Sequence, residues 1–173
     1  GNPTNAKINF DPTLSELEND AFNNRHSNNY LIERPQYTAS YNNVTKNPNW
    51  VSWQLNNNWL GIIERKDSFR SDITLPSQWD KVLKDDISYS NPDLNGQIYD
   101  KGHLSASRDR RRTYKDQDAT YFLTNILPQH PENNEADEWW KGLERFSQQL
   151  AINGRELYII AGGRGTQSYI FSQ

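Results

Sequence analysis

The sequence contains no cysteine and no methionine. Without cysteine there is no disulfide framework, no thiolate zinc site and no cysteine nucleophile. The missing methionine, position 1 included, reads as a chain whose start was set either by processing or artificially. No apolar run approaches the length of a membrane span, so no membrane partner is expected. Apolar residues make up 34% of the chain, mean hydropathy is -1.02, and the net charge is only -3. A field of that sign does not draw a polyanion to the whole surface, so any nucleic-acid site has to be a local patch. Zero cysteine fits an oxidising compartment that avoids stray thiols, although many cytosolic domains also lack cysteine, and the expected location is secreted or periplasmic.

Aromatic residues compensate for the low apolar content, with six Trp, nine Tyr and six Phe. Each buries a large area, so a chain of 173 residues has the means to build one core. Residues 1–29 read as an N-terminal arm. Asp11-Pro12 supplies a cap and a first-turn proline, and Leu14, Leu17, Ala21 and Phe22 share one helical face. His26 reads as surface.

Residues 30–173 read as one α+β domain. Tyr30-Leu31-Ile32, Tyr37 to Tyr41 and Trp50 to Leu55 are aromatic or β-branched strands, divided by Pro35, Asn42-Asn43 and Asn47-Pro48. Residues 73–97 form a connection with a helical turn around Trp79 to Leu83. Ile98 to Ser105 is a strand opening into a loop, and Thr120 to Leu127 is a strand bounded by Pro128. Glu135 to Leu150 is the strong helix, with Trp139, Trp140, Leu143, Phe146, Leu150 and Ala151 as its apolar stripe. Leu157 to Ala161 is apolar throughout, which suits a central strand covered on both faces.

Chemistry concentrates around Asp100-Lys101-Gly102-His103, just ahead of the densest positive run, Arg108-Asp109-Arg110-Arg111-Arg112. An imidazole beside arginines is a proton acceptor placed to work on an anion. The bland alternative is a satisfied structural histidine and a solvated basic turn. Asn134 opens the long helix and Glu144 lies within it. An asparagine oxygen suits Mg²⁺, and a helix carboxylate suits holding the waters of such an ion. Each also has an ordinary role, as an N-cap and as a surface carboxylate.

The blocks Tyr41-Asn42-Asn43, Asn49 to Asn56, Glu64-Arg65, Phe69-Arg70, Asp100 to His103, Asp109-Arg110, Thr124 to Gln129, Leu143-Glu144 and Glu156 to Ile159 occur in one order. Together they resemble the DNA/RNA non-specific endonucleases of the ββα-metal class, most closely the secreted sugar-non-specific type. The resemblance implies a ββα-metal fold with a central, mainly antiparallel sheet. It implies a hydrolase that cuts DNA and RNA to 5′-phosphate and 3′-hydroxyl ends with Mg²⁺, Mn²⁺ being the substitute. His103 is then the general base, Asn134 the metal ligand and Glu144 the residue that orients water on the metal. Arg65 and Lys101 act on the phosphate, Asp100 braces the histidine loop, and Asn125 supports the site from behind. Arg108, Arg110 and Arg112 form a phosphate-facing patch.

Three positions depart from the pattern of that family. Lys101 and Gln148 each stand where the family carries arginine, and lysine lacks the planar two-pronged fork. Five residues, not three, separate Asn134 from Trp140, which leaves Asn133 as a competing ligand. A nucleic-acid-binding module without turnover is the rival function. A serine hydrolase is remote, because no Gly-x-Ser-x-Gly elbow is present. A proteinaceous inhibitor is an expected class of partner. The family continues past Tyr169-Ile170-Phe171 with further strands, so a second polypeptide, or a segment beyond this sequence, is expected to complete the fold.

Overall fold

A computed structural model describes residues 27–84, 99–135 and 139–163. The expected N-terminal helix, His26 and the Tyr169-Ile170-Phe171 segment lie outside the described residues. In chain order the strands are β1 (Tyr30–Glu33), β2 (Thr38–Asn42), β3 (Asn47–Leu55), β4 (Asp100–His103), β5 (Ile126–Gln129) and β6 (Leu157–Ala161). The helices are α1 (Tyr114–Ala119), α2 (Pro131–Glu135) and α3 (Trp140–Ile152).

β1, β2 and β3 form an antiparallel meander, and β6 pairs antiparallel with the far edge of β3. The turn into β3 is set locally. Asn42 Oδ1 accepts the backbone N–H groups of Val44 and Thr45 at 2.9 and 3.1 Å, and Lys46 takes a left-handed φ of 58°. Pro48 does not divide two elements as its neighbours in sequence predict. It lies inside β3, opposite Tyr41, where the register shifts and no ladder donor is needed.

The core lies on one face of this sheet. Tyr41, Val51, Trp53 and Leu55 are buried there with Trp59 and Leu104. β6 is not the doubly covered strand its composition predicts. Leu157, Ile159 and Ala161 pack on the core, whereas Tyr158 and Ile160 point outward and are 59% and 60% exposed. Alternation decides this: an apolar side chain still turns to the outer face when its position in the pleat requires it.

β4 and β5 form a separate antiparallel ribbon, with His103 opposite Ile126 and Asp100 opposite Gln129. The strand expected over Thr120 to Leu127 begins only at Ile126, and it continues through Pro128. Leu123–Asn125 is a 3₁₀ turn. Asn125 causes the change, because its side chain takes backbone groups that would otherwise join a ladder.

The long helix also begins later than its pattern predicts. Asn134 belongs to the short α2, and α3 starts at Trp140. Trp140 and Ala151 pack on the core, but Trp139, Leu143 and Phe146 are exposed. Trp79 to Leu83 is not helical, and Trp79 packs edge-on against Tyr30 at 5.1 Å.

Candidate active site

The end of β4 brings its side chains to opposite faces of the ribbon. Lys101 and His103 share one face. The Lys101 ammonium lies 5.6 Å from the centre of the Phe69 ring, and the His103 ring centre lies 5.3 Å from it. Asp100 and Gly102 take the other face, toward α2. Asn134 Nδ2 donates to Asp100 Oδ2 at 3.1 Å. Gly102 has no room for a side chain, because an added Cβ would run into Gln129. Gln129 in turn accepts from Asn133 Nδ2 at 3.3 Å.

His103 is buried, with its ring edge-to-face against Tyr121 at 4.9 Å. Its Nε2 is buried without a hydrogen-bond partner. Burial, and after it the charge of Arg65, pushes the imidazole down to about 3. The ring is therefore neutral at physiological pH and has a lone pair to offer. Trp140 Nε1 donates to the His103 backbone carbonyl at 3.1 Å, which ties α3 to the end of β4.

Asn125 fixes the chain just beyond. Its Oδ1 accepts from the Ser105 N–H at 2.9 Å, and its Nδ2 donates to the carbonyls of Ser105 and Thr120 at 3.0 and 2.8 Å. It is fully buried, so it holds the histidine loop from behind and does not reach the site.

His103 opens on a cavity of about 600 Å³. Among the described residues Arg65, Lys101, Arg108, Lys141 and Arg145 line it, with two carboxylates, Asp100 and Glu144. A net-acidic protein thus presents a locally cationic pocket, the charge pattern that concentrates an anionic substrate. Arg65 is exposed and pairs with Asp67 through Nε at 2.7 Å. Glu144 is half-buried on α3, and desolvation with the nearby charge of Asp109 pushes it up to about 7. Asp109 itself is buried and its pKa is raised by desolvation. It accepts from Trp53 Nε1 at 2.9 Å and from Gln148 Nε2 at 2.8 Å.

The arginine cluster divides in a way its sequence conceals. Arg108 lines the cavity, but Arg110 and Arg112 do not. Arg110 is fully buried and cannot contact a phosphate. Its guanidinium donates to the carbonyls of Gln36, Gln54 and Asp109 and lies 4.3 Å from the Trp59 ring. Arg112 stacks on Trp59 at 4.2 Å and pairs with Asp116 at 3.0 Å. Burial excludes Arg110 from the expected phosphate-facing patch, whereas Arg112 lies outside this cavity with its side chain 43% exposed.

No motif block singles out Lys141 and Arg145, although their spacing from Glu144 and Gln148 puts all four on neighbouring helical positions. α1 was missed as well. Its one sequence signal is the capping pair Thr113 and Asp116, in which Thr113 Oγ1 accepts the Asp116 N–H at 3.1 Å.

The donors present fit a hard divalent cation with few protein ligands. Asp100 takes the amide nitrogen of Asn134, which leaves the amide oxygen available in the cavity. Among the described residues no group of three His, Cys, Asp or Glu side chains could hold a metal. A site built on one asparagine oxygen suits Mg²⁺, which keeps most of its waters. Asn133 is tied to Gln129 and does not line the cavity.

The family profile of the DNA/RNA non-specific endonucleases matches residues 15–171. The chain belongs to this family. It is 45% identical to a nuclease from Nostoc sp. (strain PCC 7120) over 138 residues, 80% of this chain and 47% of the relative. It is 30% identical to human mitochondrial endonuclease G over 134 residues, 76% of this chain and 42% of the relative. The chain thus spans about half the length of these relatives. The fold matches a crystal structure of an EndoG/EndoGI complex, described as showing the mechanism of EndoG inhibition. The TM-score is 0.61 at 23% identity, over 76% of this chain and 52% of that one. The architecture is accordingly the α+β fold of the ββα-metal nucleases.

Proposed function

We propose that this chain carries the catalytic core of a metal-dependent endonuclease that hydrolyses DNA and RNA without regard to the sugar. One observation carries the reading. A buried, neutral histidine opens on a cavity that, among the described residues, is lined by five cations and two carboxylates. Such a group takes a proton from water while the cations hold the phosphate that the water attacks.

In the mechanism His103 accepts the proton of the attacking water as its oxygen bonds to phosphorus in line with the P–O3′ bond, which breaks while the departing 3′ oxygen takes a proton from solvent. Arg65, Lys101 and Arg108 bind the non-bridging oxygens. An incoming phosphate offsets the charge of Arg65, which raises the basicity of His103 from its depressed value at the moment of use. Mg²⁺, or Mn²⁺ in its place, would be held by the Asn134 oxygen with Glu144 ordering its waters, and supplies positive charge at the phosphate. Asp100 fixes the Asn134 amide, and Trp140 fixes the backbone of His103. The products are 5′-phosphate and 3′-hydroxyl ends. Contacts to phosphates, not base edges, make the cleavage independent of sequence.

A secreted or periplasmic location is part of this reading, by the resemblance to the secreted sugar-non-specific nucleases. A protein inhibitor that covers the cationic cavity is the expected partner, by analogy with the EndoG/EndoGI complex. Supercoiled plasmid and structured RNA incubated with Mg²⁺, Mn²⁺ or EDTA test the whole. Cleavage of both polymers with metal and of neither with EDTA supports it, and end-labelling reads the products. Binding of both polymers without cleavage under any metal would establish the rival reading, a binding module.

A further inference from the structure

On the other side of the Arg65 loop lies a second open cavity, of about 620 Å³. Arg65 lines the first cavity and Lys66, the next residue, lines the second. The loop is therefore the wall between them. Opposite it stands α1, which contributes Tyr114, Lys115, Gln117 and Asp118.

The two walls are fixed to each other. The Lys66 backbone N–H donates to Gln117 Oε1 at 3.1 Å, and Ser68 Oγ donates to Asp118 Oδ1 at 2.7 Å. Arg70 holds the same carboxylate with two bonds, at 3.0 and 2.7 Å. These contacts neutralise Asp118, the one carboxylate in the lining among the described residues. Among the described residues no carboxylate pairs with Lys66 or Lys115. Tyr114 is 61% exposed beside them, with its ring open to stacking. Two ammonium groups and an exposed ring on a braced groove are the elements of a single-strand platform, in which phosphates meet the cations and a base stacks on the ring.

We propose that this groove is a substrate-binding subsite for a single nucleic-acid strand that extends from the phosphate being cut, past Arg65, to Lys66, Lys115 and Tyr114. The subsite rests on the nuclease reading for its direction, but its binding does not depend on turnover. It favours long or locally unpaired strands over short ones, because only those reach both cavities.

The test compares wild type, a Lys66→Ala/Lys115→Ala variant, Tyr114→Ala and Tyr114→Phe, with folding checked by thermal melts. Fluorescence anisotropy in EDTA measures binding of a thymidine oligonucleotide about 12 nucleotides long, within the usual span of a single-strand site. The double-lysine variant is expected to lower the slope of log Kd against log salt by about 1.4, the value for two phosphate contacts on a single strand. Tyr114→Ala is expected to weaken binding about ten-fold and Tyr114→Phe to retain it. In the presence of Mg²⁺ the same variants raise KM for the oligonucleotide and leave dinucleotide cleavage unchanged. Wild-type binding and wild-type salt slope in all variants would overturn the subsite while leaving the nuclease reading intact. Tight, salt-sensitive binding by a wild type that cuts nothing would overturn the nuclease reading and leave the subsite standing.

Discussion

Asn134 donates its amide N–H to the carboxylate of Asp100, 3.1 Å away, and so joins α2 to the strand that carries His103. The bond decides which atom of the asparagine faces the cavity. An amide held through its nitrogen presents its oxygen, the atom a hard cation needs. Asn133, one residue earlier, spends its own amide on Gln129. Asn134→Ala is therefore expected to raise the Mg²⁺ concentration for half-maximal cleavage by about ten-fold or more, whereas Asn133→Ala shifts it by less than about two-fold. Metal titrations of both variants check this. Exchange of the two results would mean that the ligand register lies one residue earlier.

Glu144 predicts a stability effect opposite to its use in catalysis. Its carboxyl is pushed up to about 7 from an ordinary 4.5, first by desolvation and then by Asp109. Between those values the folded state holds the proton and the unfolded state does not, so stability falls as pH rises through that window. Glu144→Gln removes the charge and its penalty. Melts in EDTA should show the variant more stable than wild type at about pH 8, on the order of 2 kcal/mol after allowance for its partial exposure. The gap should close by about pH 4, where both proteins carry a neutral side chain. Activity should fall at every pH. A variant less stable than wild type at pH 8 would show that Glu144 is ionised and favourably paired in the free protein.

Two arginines of one cluster should behave as different kinds of residue. Arg110→Ala leaves the carbonyls of Gln36 and Gln54 buried without their donor and strips a cation from the Trp59 ring. The expected loss is about 3 kcal/mol or more, a fall in Tm of roughly 6–12 °C for a chain of this size. Arg108→Ala should leave Tm within about 2 °C and raise KM for DNA. Thermal melts beside steady-state kinetics separate the two.

This contrast shows where the sequence was legible. The meander, the ribbon ending in His103 and the helix carrying Glu144 follow from alternation, turn residues and helical spacing. What sequence spacing does not carry is the partner on the far side. Arg110 and Arg112 look alike in the chain, and only the carbonyls and the Trp59 ring that meet them determine which is buried. Trp139, Leu143 and Phe146 repeat as a helical stripe, yet that stripe faces away from the core while Trp140 and Ala151 pack in. Periodicity identifies a shared face and says nothing of what covers it. The short α1 has no apolar stripe at all, so only its cap announced it.

The account depends most on His103. The decisive measurement is single-turnover cleavage of a labelled DNA by His103→Ala with Mg²⁺, beside DNA affinity and Tm of the same variant. A lost general base predicts a rate lower by about two to four decades, with affinity within about three-fold of wild type and the fold retained. Cleavage at the wild-type rate by a folded His103→Ala protein would contradict the account.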